Sequence, residues 1–466
     1  MKHASSRHMS PSATSLRSPN EHTAEESLSE DRREMIEADE PRNILVLAGY
    51  QVLLRMAWIF KTESVIMPAV VDTISGAGWV RGCLPVLNRV GQSIPPLFMA
   101  ERLRNSHLKY RWLYITTLMG AAIFALLALI WFLVEQKRQP MMTLAFLLLY
   151  TLFFGVTGVN QLAIGTVQGK LVRANRRGRL MTISGIVGSI AAVTAAGFLL
   201  TRWLAMPDNT GYAWIFAFVA GGFVAAALLL KWLIEPPDER IATPRRTPRH
   251  HFSSAWQVYR QDRSFRRAAN VGMLFIGSIL LFPHYRWVAA EQLGTSSTDM
   301  VGWVIAQNLG VGFFSPIFGT IADRHGNRIV MRLEIFAGAM VPLLAIIMAS
   351  GFVPNGGDWY WIVFAFLGLV PVTIKTIFNY TLELADETEH PRYLSTMRIC
   401  FAVPFVISPL AGLLLDLFPA DSKFTGVGIL FGTVSCLMLI GGILTFRMAE
   451  PRHRPVDATE LPVVRG

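Results

Sequence analysis

Charge is scarce in this chain: Asp, Glu, Lys and Arg together make 16% of its 466 residues, against about 25% in average soluble proteins. That shortage excludes an ordinary soluble enzyme, and the excess of apolar residues that accompanies it excludes global disorder. Cysteine is scarcer still. Cys83, Cys400 and Cys436 are the full set, each lies in an apolar stretch, and they form neither a metal-ligand spacing nor a disulfide framework. No P-loop, nucleophile elbow or metal-spaced His/Cys set is present, so ATP-driven pumping and hydrolysis have no basis in the sequence, and no metal or cofactor is expected. Residues 1–43 contain no apolar run, whereas a secretory signal needs one of about 7–15 residues close behind its charged start. They carry no lipid-attachment pattern either, and their Ser, Glu and Arg content reads as a disordered tail.

What the chain has in quantity is apolar sequence. Hydrophobic residues make up 52% of it, with 29 Phe and 12 Trp. A helical membrane span needs about 20 mostly apolar residues. Twelve such runs can be placed, at 44–71, 78–99, 111–134, 141–168, 180–203, 212–234, 267–290, 299–322, 330–351, 359–384, 395–417 and 425–447. The expected fold is therefore an all-α membrane protein of twelve transmembrane helices. Lys and Arg divide sharply across it: 32 of the 43 fall on the tails and on the loops and adjoining span ends of the same side, 4 on the opposite side, and 7 deeper inside spans. Positive loops stay inside, so both termini are expected in the cytoplasm. The same split explains the net charge of +11 without nucleic acid as a partner. A bacterial inner (plasma) membrane is the expected location.

The longest loop, 235–266, contains Pro236-Pro237, Arg245-Arg246 and His250-His251. It divides an N-terminal six-helix bundle (44–234) from a C-terminal one (267–447), with a second cytoplasmic tail at 448–466. Its basic cluster suits anionic lipid headgroups. The two bundles echo one another. Gly78-Trp79-Val80 opens the second run and Gly302-Trp303-Val304 the eighth; an acid-Arg pair follows each, Glu101-Arg102 and Asp323-Arg324. Two pseudo-symmetric bundles are expected, with a binding site between them near the bilayer midplane.

The loop after the eighth run reads Gly319-Thr320-Ile321-Ala322-Asp323-Arg324-His325-Gly326-Asn327-Arg328. It resembles the signature loop of the major facilitator superfamily: Gly, three residues, Asp-Arg, one residue, Gly, one residue, Arg. With twelve runs, the resemblance covers about 44–447. It implies the major facilitator fold, a secondary transporter working by alternating access, and by default a monomer. The implied partners are a small-molecule solute, the lipid bilayer, and a coupling proton or sodium ion. Gly319, Asp323, Arg324, Gly326 and Arg328 would form a gating loop. In the family this loop meets a helix start in the other half, here Gly178-Arg179, holding closed the cytoplasmic side. The first-half copy is degraded, with Leu97 in place of the first Gly and no Gly after Arg102. A Gly-Pro motif in the fifth span and an Arg-centred motif in the fourth, frequent in drug–proton antiporters, are replaced by Gly185-Ile186 and Asn160-Gln161.

Charges inside spans are costly unless they reach partners or water. The candidates here are Arg55, Lys61, Glu63, Arg81, Arg89, Arg286, Lys375 and, snorkelling near a span end, Lys231. Arg55 and Glu63, eight residues apart on a presumed helix, would share a cavity face while Lys61 points elsewhere. Lys375, Asn379 and Glu383 recur at i, i+4 and i+8 on one face. Gln161 takes the place of Lys375 in the first half, and His284, Tyr285 and Arg286 form a polar cluster after Pro283. Arg55, Arg286, Lys375, Asn379, Gln161 and Tyr285 are the candidate substrate contacts, with Glu63 and Glu383 as coupling acids or counter-ions. Arginine suits bidentate contacts to carboxylate or phosphate, so the expected solute is an organic anion. Proton-coupled efflux of lipophilic compounds and a non-transporting sensor of the same fold are the alternatives.

Overall fold

The computed structural model describes residues 19–238, 248–386 and 389–450. The first 18 residues, the stretch with Arg245-Arg246 and the end of the C-terminal tail lie outside the described residues. Twelve membrane-crossing elements follow one another, with no strand among the described residues. Ten are long and apolar enough to cross by length and composition: Tyr110–Leu133, Pro140–Leu171, Arg176–Leu204, Pro207–Trp232, Arg263–Leu293, Asp299–His325, Asn327–Ala349, Gly356–Glu383, Arg392–Asp416 and Lys423–Arg447. The first crossing is split, Pro19–Ile59 followed by Ile66–Ile74. The second, Gly78–Arg104, carries Arg81, Arg89, Glu101, Arg102 and Arg104 along with three prolines. Both exceptions spend apolar length on polar side chains, and both face the interface between the halves.

The expectation of a disordered tail over 1–43 is corrected for its described part. A helix begins at Pro19 and runs unbroken into the first span. Its last turns are held by polar contacts, which is why no apolar run announces them. Asn43 donates from Nδ2 to the Ile234 carbonyl (2.9 Å) and accepts from the Ile234 N–H (3.0 Å). Glu40 is fully buried and accepts from the Arg173 N–H and Nε, both at 2.9 Å, at the start of the fifth span. Burial pushes the Glu40 carboxyl up, but the hydrogen bonds and charge of Arg173, with Arg176 beside it, outweigh burial and hold it below its ordinary 4.5. The linker also has structure: a helix, Pro248–Gln261, buries Ala255 and Val258 against the starts of the seventh and eleventh spans.

The pseudo-repeat reaches further than the Gly-Trp-Val echo. Glu235-Pro236 follows the sixth span and Glu450-Pro451 the twelfth. Glu235 accepts from the N–H groups of Lys109 (3.0 Å) and Tyr110 (2.7 Å), satisfying the open donors at the start of the third span. Glu450 lies against Gly326 and pairs with Arg328 (3.2 Å) at the start of the ninth. Each half thus ends by tying down its own second-to-third connection. These contacts define a tail side of the molecule; the opposite side is the far side.

Candidate functional site: a cavity between the halves

The first span stops at Ile59 and restarts at Ile66. Thr62 makes the restart possible, its hydroxyl accepting from the Ile66 N–H (3.2 Å) and its carbonyl from the Met67 N–H (2.9 Å). Irregular backbone at membrane depth survives only where protein buries it or it lines an aqueous cavity. Both conditions are met. The segment borders a cavity of about 650 Å³ lined from the first half by Arg55, Trp58, Glu63, Asn88, Arg89 and Gln161, and from the second by Phe282, Gln307, Asn308 and Lys375.

Close helix approach sets this geometry. Gly91 and Gly158 let the second span lie directly on the fourth, where any Cβ at Gly158 would collide with the Gln92 backbone. This contact seats a chain of polar side chains in the wall: Asn88 donates to Glu63, Gln92 donates to Asn88, and Gln161 Nε2 donates to Gln92 Oε1 at 3.2 Å. Gly188 of the fifth span gives room to Arg55, whose Cδ lies 3.1 Å from where a Cβ would stand. The Arg55 and Arg89 Nε atoms are buried without a hydrogen-bond partner, and the Arg89 guanidinium lies 5.2 Å from the Phe405 ring. Glu63 is the one carboxylate among the lining residues, against the three cations Arg55, Arg89 and Lys375.

The sequence-predicted residues divide. Arg55, Glu63, Gln161 and Lys375 line the cavity. The helical-wheel route to Arg55 and Glu63 does not hold, because the helix ends between them. Lys61, expected only to point elsewhere, is 1% exposed; its Nζ has no hydrogen-bond partner and sits 3.3 Å from the Trp58 ring centroid, with Phe154 and Phe153 at 4.6 and 5.0 Å. Asn379 is exposed and Glu383 half-buried, continuing the Lys375 face toward the tail side, where Glu383 accepts from Asn327 Nδ2 (2.9 Å). Neither lines the cavity. Tyr285 is a core residue, its ring edge-on to Phe431 (5.0 Å between centroids) and its carbonyl accepting from the Tyr360 hydroxyl (3.1 Å). Arg286 is outside as well. Its Nη1 lies 2.6 Å from Asp72, which also pairs with Arg81 at 2.5 Å. Arg89, Asn88 and Trp58 are among the lining residues to which the sequence pattern assigns no role. Arg89 carried a signal, a charge inside a span; Trp58 carried none that separates it from any other apolar-run aromatic.

The cavity is closed at the far side and open toward the tails. Ser64 donates to Gln307 (2.5 Å) across the halves. Beyond it lies the Arg81–Asp72–Arg286 cluster. Outermost, Asp416 of the eleventh span accepts from the N–H groups of Gly78 (2.7 Å) and Trp79 (2.9 Å), capping the second span from the other half. Gly78 and Gly412 allow the backbones to touch there. On the tail side, among the described residues, no contact joins the signature loop to Gly178-Arg179. Gly178, Arg179, Gly319 and Asp323 are exposed, and nothing stands within 4 Å of a Cβ built at Gly178 or Gly319. Arg324 is exposed. Gly326 makes the turn at φ +86°, and Arg328 is held by Glu450 and by the Met448 carbonyl (2.9 Å). The signature loop is therefore anchored on its own half in this state.

Comparison with known proteins agrees with this architecture. The family model described as Major Facilitator Superfamily matches residues 97–296 and 271–465. Compared with curated protein sequences, the chain finds no match. Among solved structures it is similar to a mutant of the nucleoside transporter NupG, at 12% identity and TM-score 0.68 over 87% of this chain and 99% of that one. It is similar to a D-xylose–proton symporter at 12% identity and TM-score 0.67, over 89% and 99% of the two chains. A bacterial homologue of the human lysosomal transporter Spinster, inward-facing and unoccupied, gives 11% identity and TM-score 0.63 over 89% and 97%. At these identities the likeness is one of fold.

Proposed function

The chain belongs to the major facilitator superfamily, and from that premise we propose that it moves a small organic anion across the membrane by alternating access, the state described here being the one open to the cytoplasm. The charge split of Lys and Arg, 32 against 4, supports a cytoplasmic tail side. The observation that carries the substrate reading is the convergence of Arg55, Arg89 and Lys375 on one cavity between the halves, with two guanidinium Nε atoms lacking partners. A buried cation without a counter-charge is destabilising, and an entering anion supplies what is missing. Arg286 is not part of this reading; it is paired with Asp72 at the far side and does not line the cavity.

Glu63 is the coupling acid. It faces the same cavity as the three cations, so taking up a proton there frees Asn88 and increases the positive field felt by the solute. Glu383, outside the cavity, has no such role. Hydrogen bonds to charged groups contribute about 1.5–3 kcal/mol, so Arg55→Gln, Arg89→Gln and Lys375→Gln are each expected to weaken binding of an organic anion by roughly 10- to 100-fold. Binding of the matching neutral amide should hardly move. Equal losses for acid and amide contradict an anionic substrate. Glu63→Gln is expected to retain anion exchange and lose accumulation driven by a pH gradient.

A further inference from the structure

We propose that the substrate is bipartite: an anionic group held by Arg55, Arg89 and Lys375, joined to a flat, uncharged ring that lodges in a side chamber of the N-terminal half. This rests on the anion reading of the central cavity and adds the shape of the rest of the molecule. The chamber, about 480 Å³, adjoins the central cavity, the two sharing Leu54, Trp58 and Gln161 among their lining residues. No charged side chain lines it. Its other walls include Gln51, Thr157 and Phe223. A small aliphatic acid seated on the three cations leaves this space to water, whereas ligand pockets of about 300–1,000 Å³ suit molecules of ring size and above.

The wall is chemically specific. Trp58 carries the Lys61 ammonium 3.3 Å from its ring centroid, so a ligand meets the ring where Lys61 is not. A cation on one face of an aromatic ring draws on its negative potential, which favours an electron-rich, anion-bearing ring on the other side over a cationic one. Two amides line the chamber with one end of each tied to protein. Gln51 Oε1 accepts from Ser184 Oγ (2.6 Å), and Gln161 Nε2 donates to Gln92. The remaining ends, the Gln51 amino group and the Gln161 carbonyl, offer a donor and an acceptor to hydroxyl or carbonyl substituents on the ring. The division is asymmetric: charge recognition is shared between halves, and ring recognition belongs to the N-terminal half.

The test is binding to the purified full chain in detergent, by calorimetry, for 4-hydroxybenzoate and 4-hydroxycinnamate against acetate, lactate and succinate, with the amides of the ring acids as neutral probes. The ring acids are expected to bind at least 10-fold more tightly than the aliphatic ones. Trp58→Ala is expected to abolish that preference, but Trp58 also covers Lys61 and the variant can misfold. Gly165→Phe avoids this, because Gly165 lines the chamber and a Cβ there meets open space. It is expected to lower the ratio of ring-acid to aliphatic-acid affinity at least 10-fold. If the aliphatic acids bind most tightly and Gly165→Phe leaves the ratio unchanged, the bipartite assignment is overturned while the anion reading stands. If the neutral amides bind as well as their acids, the anion reading itself falls and takes this assignment with it.

Discussion

The two ends of the interface between the halves are built from different materials. At the far side the halves meet through polar contacts made atom to atom: Ser64 on Gln307, Asp72 between Arg81 and Arg286, Asp416 on the first N–H groups of the second span. At the tail side the ties among the described residues that stand out lie within each half, Glu235 to the start of the third span and Glu450 to Arg328. A transporter needs both ends to open. The difference shows where the stabilisation of the present state is concentrated: in a few removable far-side carboxylates, with each half kept rigid by its own tail-side ties.

The comparison breaks most severely at Asp72. Removing one partner of a buried ion pair costs about 3–5 kcal/mol, and Asp72→Asn leaves two arginines, one with a side chain only 2% exposed. The variant is expected to shift the population toward the far-side-open form, read as faster modification of a cysteine placed at Thr73; unchanged labelling counts against the cluster as the main far-side lock. Asp416→Ala removes a helix cap of about 0.5–2 kcal/mol and is expected to act in the same direction with a smaller gain in labelling. Asp323→Asn works at the other end. If the signature loop meets Gly178-Arg179 when the tail side closes, the variant weakens the tail-closed state. It is then expected to lower the share of tail-closed molecules seen by spin-label distances between the halves. No change in that share and none in uptake would remove the loop from the gating scheme.

The smallest effect is expected at Glu40, outside the membrane. Its folded-state carboxyl is held below the ordinary 4.5, so its contribution is present above that value and is lost as pH falls through the depressed one. Glu40→Gln is expected to lower thermal stability at neutral pH by at most about 1 kcal/mol and to flatten the acid limb of the stability curve below pH 4.5. A parallel fall of both proteins with pH contradicts that role.

The spans were legible because crossing a membrane imposes a length and a composition that few other segments meet, and the six-plus-six layout followed from them. What stayed hidden depends on partners distant in sequence. Arg286 read as a substrate contact because Asp72, 214 residues earlier, lies one residue past the predicted end of the first span and entered no account of intramembrane charge. The break at Phe60–Val65 carries no Gly or Pro, so a run containing Lys61 and Glu63 looked like one helix with two awkward charges. Arg55, Glu63, Gln161 and Lys375 were found because polar groups in apolar runs must face something polar. Asn379 and Glu383 shared the face of Lys375 but not its depth, which periodicity alone does not encode.

The most direct test of the central claim is flux into proteoliposomes of a radiolabelled organic anion that binds the purified protein, with and without a pH gradient, for the wild-type chain and Arg89→Gln. The account predicts uptake that exceeds protein-free vesicles, responds to the gradient, and falls at least 10-fold in the variant. Binding that persists in the wild type with no flux above protein-free vesicles contradicts it and leaves a sensor in place of a carrier.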